Sequence, residues 1–446
     1  MSARNRPTLR GTEFRLLLLP ALIACTGMLM IVLVPTGRVQ WAWSDIWVSL
    51  AFAAIVLGMS VSFSVIGFRG DQVILPITAT IAVIGLLMMQ RLQPDLTAID
   101  PGWAQTAQRQ FIYLVAGLFA AWLVVIFAGP LGVVSWLRTY RNTWLLVSLA
   151  LQAATFVIGT GPAGSGAKLW IAAGPIQIQP SEIVKITLVI YLASYLDDYR
   201  DLIGFSWRVG NIELPPIPYL VPMGLMWLAS LLTLVVLNDL GSALLFFAVF
   251  LSMLYFASGR PVYVAVGTIA FLIACGAAYL AFDRVGIRVQ NWLDPWQDPF
   301  VTGYQPIQSE YALASGGVLG TGFAQGSPWH IPAVETDYIF SAIGEELGLL
   351  GTLAVLTLYF LLVVRGYTTA IQARDGFVQL LAAGLTSIIA FQVIIIVGGV
   401  IRLIPLTGIT LPFVSYGGSS LLSNFALMGL LLHLSSQPVR GTRGAS

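Results

Sequence analysis

Long apolar runs recur along the chain at 14–34, 47–67, 73–90, 111–136, 143–160, 182–196, 217–237, 242–258, 261–282, 338–364, 377–400 and 419–435. A helix of such a length crosses a hydrocarbon layer about 30 Å thick, so the pattern predicts about twelve transmembrane helices and an all-α polytopic bundle rather than a barrel. The polar connections between runs are short, with one exception. From Asp283 to Asp337 runs an insert carrying Asp294, Asp298, Glu310, Glu335 and Asp337 among Trp, Pro and Gly. Unpaired carboxylates at a membrane surface make this insert the first place to look for chemistry.

An even number of spans puts both termini on one side. Arg4, Arg6, Arg10, Arg15, Arg440 and Arg443 identify that side as cytoplasmic by the positive-inside rule. Loops expected on the same side carry Arg69, Arg138, Arg141, Arg200, Arg208, Arg260, Arg365 and Arg374. The loops 91–110, 161–181, 283–337 and 402–418 then share the outer face. The first run is too long for a signal-peptide core and lacks a small-residue cleavage site, so it is kept as a span. Trp41, Trp43 and Trp47 suit interfacial depth. No repeat of 20 to 50 residues is present, and only the two ends read as disordered.

Composition adds a limit and a clue. Of the 446 residues 57% are hydrophobic and only 9% charged, far from the usage of soluble domains, and no soluble domain of ordinary size has room. Cys25 and Cys275 fall inside apolar runs, and His330 and His433 stand far apart without other ligands, so neither a disulfide nor a zinc site is indicated. The clue is lysine. Among 22 basic residues only Lys168 and Lys185 are lysines, and both lie in one stretch that also holds Gln179-Pro-Ser-Glu182. Glu182 and Lys185 are three apart on one helix face, where Pro180 and Ser181 suit a helix start. They are either a structural ion pair or the wall of a polar cavity, since ionisable groups at membrane depth usually face a bundle interior or water. Lys168 could then meet an anionic group such as phosphate.

In the insert, proline follows both Asp294 and Asp298 and fixes extended or turn geometry there. A carboxylate held beside Trp can serve as a general base or can simply cap a turn. The glycine-rich run Ser315–Gly322 matches no nucleotide fingerprint and reads as tight turns. Asp337, Glu345 and Glu346 enter the next apolar run, where dipole complementation explains Asp337 better than Glu346. The strip from Pro405 to Ser420 is irregular and polar between two apolar runs, either a re-entrant packing turn or a cavity wall presenting Ser415 and Tyr416.

Gln179-Pro-Ser-Glu182, Asp298-Pro with Gly303-Tyr-Gln and Gln308-Ser309, Thr336-Asp-Tyr-Ile-Phe, Gly344-Glu-Glu-Leu-Gly, and Pro405-Leu-Thr-Gly with Leu411-Pro-Phe-Val-Ser-Tyr-Gly-Gly-Ser-Ser together resemble the SEDS family, which includes FtsW, RodA and SpoVE. The resemblance covers roughly Asp71 to His433. It divides the chain into an added hairpin with its tail (1–70), a ten-helix core (71–435) and a C-terminal tail (436–446). It implies a peptidoglycan glycosyltransferase of the bacterial cytoplasmic membrane that polymerises lipid II on the outer face beside a class B penicillin-binding protein. No nucleic-acid partner is expected, only lipid and protein. By position Asp298 would be the catalytic carboxylate. Lys168, Lys185, Arg109 and Arg402 would hold pyrophosphate, alone or with a divalent ion such as Mg or Mn, and Glu182, Gln308, Ser309, Asp337 and Ser415 would complete the substrate site. Leu169, where many members have a second basic residue, Asn238, where proline usually precedes Asp-Leu-Gly, and Ile396, where Asn is common, depart from the family pattern, and the acid usual after Ile331-Pro is absent, with Glu335 appearing instead. The rival reading is a flippase for a lipid-linked cell-wall precursor. It would need charge near the midplane, where this chain has little.

Overall fold

The structure is a computed structural model that describes residues 10–33, 43–161, 169–173, 176–201, 207–209, 212–214, 224, 228 and 239–437. Its helices are α1 (Gly11–Leu33), α2 (Trp47–Ile66), α3 (Ile74–Ile99), α4 (Thr106–Ala128), α5 (Val133–Thr139), α6 (Arg141–Ile158), α7 (Pro180–Asp198), α8 (Leu240–Ser258), α9 (Pro261–Ala281), α10 (Asp283–Leu293), α11 (Tyr304–Gly316), α12 (Ile339–Gln372), α13 (Gly376–Val400) and α14 (Gly418–Leu434). Among the described residues nine helices are long and apolar enough to cross a membrane, and α14 is a shorter apolar helix of 17 residues. The protein is therefore a multi-pass, all-α bundle, as the run pattern predicts. The expected run at 217–237 lies outside the described residues except for 224 and 228. Two small antiparallel hairpins, β1 (Ile171–Ala173) with β2 (Ile176–Ile178) and β3 (Trp207–Val209) with β4 (Ile212–Leu214), are the described strands.

The chain forms two compact units. The first comprises Met1–Ile126, Gly286–Arg365 and Gln392–Ser436, and the second Phe127–Val285, Gly366–Phe391 and Gln437–Ser446.

In the first unit α3 is covered on nearly every side, with 94% of its most apolar stretch buried, as a helix apolar all round should be. α1 packs on both α2 and α3. Arg10 fastens this hairpin to the start of α3: it pairs with Glu13 at 2.6 Å and donates to the carbonyls of Phe68, Gly70 and Asp71. Helices in lipid gain little from the hydrophobic effect, so close backbone approach through small residues supplies much of their association. Gly85 of α3 lies against the backbone of Val414, and Gly429 of α14 against that of Ala121 in α4, where a Cβ would come within 2.6 and 2.8 Å.

α3 outruns its apolar stretch, reaching Ile99 rather than 90. Its polar end is paired inside the protein: Arg91 meets Asp95 at 2.6 Å and Glu346 at 3.0 Å, and donates to the Gly326 carbonyl at 2.9 Å. α4 is shorter than expected, ending at Ala128 instead of 136. Gly129-Pro130 follows, and proline both lacks the N–H a helix needs and disfavours helical geometry in the residue before it.

α12 is broken at Gly348, whose φ of 67° and ψ of −167° leave the helical region. The groups freed by the break are satisfied by the glycine-rich run. Thr321 and Gly322 N–H donate to the carbonyls of Glu345 and Glu346 at 2.9 and 3.1 Å, and the Leu349 and Leu350 N–H groups donate to those of Gly317 and Val318 at 3.0 and 3.1 Å. The fit needs glycine: a Cβ on Gly320, itself at φ +86°, would lie 2.2 Å from the Glu346 carbonyl oxygen.

In the second unit α7 packs on α5, α6 and α8, and α8 carries α9. Pro180 opens α7 from an extended Gln179, in keeping with the helix start read from the sequence. Asp239 caps α8 by accepting from Ser242 N–H at 3.0 Å, and left-handed Gly259 closes it. Arg138 bridges Asp197 at 2.8 Å and Asp375 at 3.3 Å, while Arg141 pairs with Asp198.

Candidate functional site

The insert is half helical. α10 ends at Leu293, and Asp294 starts a short turn over Pro295–Gln297 by accepting from Trp296 N–H at 3.1 Å. Asp298 closes that turn with φ −139° and ψ 72°, outside the helical region that the following proline disfavours. Its Oδ2 accepts two hydrogen bonds from Thr302, one from the backbone N–H and one from the hydroxyl, each 3.1 Å. Asn291 in turn donates to the Thr302 carbonyl at 2.8 Å, and its Oδ1, 3.1 Å from the Thr302 hydroxyl, shares that group's single proton with Asp298. Gly303 N–H donates to the Asp298 carbonyl at 2.9 Å, in a space so tight that a Cβ would lie 1.9 Å from the Pro295 oxygen. The outcome is a half-buried carboxylate anchored through one oxygen. Its other oxygen, Oδ1, has no hydrogen bond and no cation partner among the described residues.

Beside this turn lies a cavity of about 170 Å³ whose wall includes Arg288, Asn291, Thr302, Gln305 and Asp337. Asp337 has no ion-pair partner among the described residues, and burial pushes its carboxyl up to about 6, with a Thr336 hydrogen bond and the Arg288 charge pulling the other way. Glu335, 5% exposed, is raised by burial and further by Asp337, against a hydrogen bond from its own backbone. Glu310 differs from these acids. It is paired with Arg402 at 2.5 Å, so the insert's carboxylates are not all unpaired.

Arg402 holds the cavity wall together. At φ +56°, an unusual conformation for a side-chain-bearing residue, its guanidinium reaches the Trp292 carbonyl at 2.8 Å and the Leu293 carbonyl at 3.2 Å, while Trp292 Nε1 donates back to the Arg402 carbonyl at 2.9 Å. Its cationic donors are thus directed to Glu310 and to backbone.

The remaining candidates in this unit separate by burial. Ser309 is fully buried, with its hydroxyl 2.6 Å from that of Ser341, joining α11 to α12. Ser415 is 2% exposed: it accepts from Leu411 N–H at 2.8 Å and donates to the Thr336 carbonyl at 2.6 Å. That hydroxyl is engaged in pinning the 405–417 strip to the segment bearing Glu335 and Asp337, as is Tyr416 N–H, which donates to the Glu335 carbonyl at 2.8 Å. Gln308 is half-buried and Arg109 exposed. The Tyr416 ring lies between Trp103 and Tyr113, and burial, then Tyr113, raises its phenol above the ordinary range while Arg109 opposes.

In the second unit Glu182 and Lys185 form an ion pair at 2.5 Å, with side chains 10% and 2% exposed. Asp239 lies close enough to Ser181 and Glu182 to interact with both. Lys168 lies outside the described residues. Among the described residues no three His, Cys, Asp or Glu side chains are grouped to hold a metal ion. The sequence reading gave no role to Asn291, Thr302, Arg288 or Asp239. Only the placing of Asn291 and Thr302 on either side of Asp298 could have signalled the first two.

Residues 71–439 match the FtsW/RodA/SpoVE family, described as cell cycle protein. Peptidoglycan glycosyltransferase RodA of Mycobacterium tuberculosis is 37% identical over 431 residues, 96% of this chain and 91% of that protein. Stage V sporulation protein E of Bacillus subtilis is 32% identical over 376 residues, 82% of this chain and 96% of that protein. Among solved structures, a chain from work on coordination of polymerization and crosslinking by a peptidoglycan synthase complex superposes with a TM-score of 0.65 at 26% identity, covering 82% of this chain and 98% of that one. The crystal structure of the Thermus thermophilus rod shape determining protein RodA gives 0.57 at 25% identity, covering 82% and 97%.

Proposed function

This chain belongs to the FtsW/RodA/SpoVE family of cell cycle proteins, and from that premise we propose that it is a peptidoglycan glycosyltransferase polymerising lipid II at the outer face of the bacterial cytoplasmic membrane. The observation that carries the residue assignment is Asp298, held through Oδ2 by Thr302 and open at Oδ1. In the reaction Oδ1 takes the proton from the acceptor sugar hydroxyl as that oxygen bonds to the donor's anomeric carbon. The bond from that carbon to the pyrophosphate oxygen breaks, and undecaprenyl pyrophosphate leaves with the electron pair.

Departing charge calls for cations. Lys185, Lys168 and Arg109 are assigned to the pyrophosphate, with or without a divalent ion, and Arg402 contributes chiefly by keeping the Asp298 turn in shape. The working partner is a class B penicillin-binding protein, a reading supported by the likeness to a chain of a peptidoglycan synthase complex. The arginine distribution supports cytoplasmic termini and an insert on the outer face.

The test is a polymerisation assay with purified protein, its transpeptidase partner and lipid II. Wild type extends lipid II into glycan, and Asp298→Ala does not. Full activity in Asp298→Ala removes the base assignment. Flipping of lipid II in proteoliposomes without polymer formation replaces the polymerase by a transporter.

A further inference from the structure

The cavity beside the Asp298 turn offers its occupant acceptors more readily than donors. Asp337 contributes a carboxylate without an ion-pair partner among the described residues. Gln305 commits its amide nitrogen to the Pro332 carbonyl at 2.8 Å, which leaves its Oε1 for the cavity. The Arg402 guanidinium is directed to Glu310 and to two carbonyls, and Arg288 donates to the Thr407 carbonyl at 3.3 Å. The lining has no excess of cations for a phosphate: the Arg288 charge is set against Asp337, and Arg402 is paired with Glu310. A neutral group rich in O–H and N–H donors would meet matching acceptors, and buried acceptors left unpaired are costly.

Size narrows the choice. About 170 Å³ in a cleft that opens to solvent gives room for a sugar ring. Ile404 and Leu406 add an apolar side against which ring C–H groups can pack. Thr302 belongs to both places. It lines the cavity, and its hydroxyl lies 3.1 Å from Asp298 Oδ2.

We propose that this cavity is the subsite for one pyranose ring of the acceptor saccharide, held by Asp337 and Gln305 and presented to Asp298 across Thr302. The proposal rests on the polymerase reading and adds where the acceptor sits and which groups recognise it. Recognition is by hydroxyl and amide donors, separate from the cations assigned to pyrophosphate.

The experiment has two arms. In the first, initial rates of polymerisation are measured against lipid II concentration for wild type, Gln305→Leu, Asp337→Asn and the cavity-filling Ile404→Phe. The expected result is a half-saturating concentration raised about tenfold or more in Gln305→Leu, with kcat changed less than about threefold, the pattern of lost binding shared by ground and transition states. An unchanged half-saturating concentration in all three variants overturns the subsite. In the second arm, saturation-transfer NMR in nanodiscs follows N-acetylglucosamine on Asp298→Ala protein, with Asp337→Asn added in the same background. A sugar signal that disappears with Asp337→Asn supports the subsite. No signal in Asp298→Ala, from a wild type that polymerises, overturns it. If wild type makes no glycan while the Asp337-dependent signal persists, the sugar site stands and the polymerase reading falls.

Discussion

The start of α7 and the 283–337 insert treat charge in opposite ways. At the start of α7, Glu182 and Lys185 sit 2.5 Å apart on one helix face, almost wholly covered. In the insert, Asp298, Glu335 and Asp337 have no ion-pair partner among the described residues, although Glu335 is as deeply buried as Glu182. A neutralised pair is a stable arrangement that a fold can keep for its own sake. Carboxylates raised by burial, as Glu335 and Asp337 are, cost free energy, and groups of that kind gather where chemistry or binding uses them. The contrast also holds within the insert: Glu310 is paired with Arg402, whereas Asp337, the acid in the cavity lining, has no ion-pair partner among the described residues.

The largest effect expected is on the unpaired side. Asp298→Ala should lower the polymerisation rate by about 10² to 10⁴, the range of a lost general base, while melting within about 2 °C of wild type because the carboxylate anchors only a surface turn. A variant that unfolds instead would make Asp298 a structural cap and erase the contrast.

The paired side should behave in reverse. Lys185→Ala leaves Glu182 without its ammonium in a covered site and should cost about 3 to 5 kcal/mol in unfolding stability. Replacing both residues by leucine should recover most of that loss. Glycan synthesis by the double variant then decides the role. Retained activity makes the pair structural, whereas a stable and inactive protein shows that the lysine charge serves the reaction. Lys185→Arg, which keeps the charge, should lose less activity than Lys185→Ala. Equal small losses from both would leave only the ion pair.

A smaller effect sharpens the picture at Asp298. Thr302→Val removes the hydroxyl bond to Oδ2 but keeps the backbone N–H bond and the side-chain shape. The expectation is a fall in kcat of about tenfold with the half-saturating lipid II concentration unchanged, and recovery in Thr302→Ser, since one hydrogen bond to a charged group contributes roughly 1.5 to 3 kcal/mol. Equal activity of the valine and serine variants would show that the hydroxyl does not position the acid.

Hydropathy made the bundle legible because lipid leaves a helix few ways to be polar, and the spans fell into place wherever the chain obeyed that limit. It misread α3 beyond residue 90, where Arg91 and Asp95 look like the start of a loop and are instead paired inside the protein. It was silent on the break at Gly348, because a glycine in an apolar run carries no sign that a distant loop will take over its neighbours' hydrogen bonds. Around the site the sequence pointed to Asp298 through its proline and its motif. It could not show that Ser309 and Ser415 are buried in packing, nor that Asn291 and Thr302 support the acid, since these depend on contacts between residues that are distant along the chain or carry no signal of their own.

The comparison also predicts a pH signature confined to the unpaired side. Asp337 in the folded protein titrates at about 6, above its ordinary 3.8, because burial disfavours the ionised form. Between those two values the native state keeps a proton that the unfolded chain has lost, so stability falls as pH rises from about 4 to about 6 and levels off above. The displacement corresponds to at most about 3 kcal/mol, reduced by the water that reaches the cavity. Glu335 is raised in the same sense and adds to the slope. Asp337→Asn should therefore lessen the decline in melting temperature between pH 4.5 and 7 without abolishing it, and should melt higher than wild type at pH 7. An unaltered slope would mean that Asp337 finds a counter-charge in the working protein. In that case a site so neutralised would lose its preference for an uncharged sugar, and the insert would resemble the start of α7 after all.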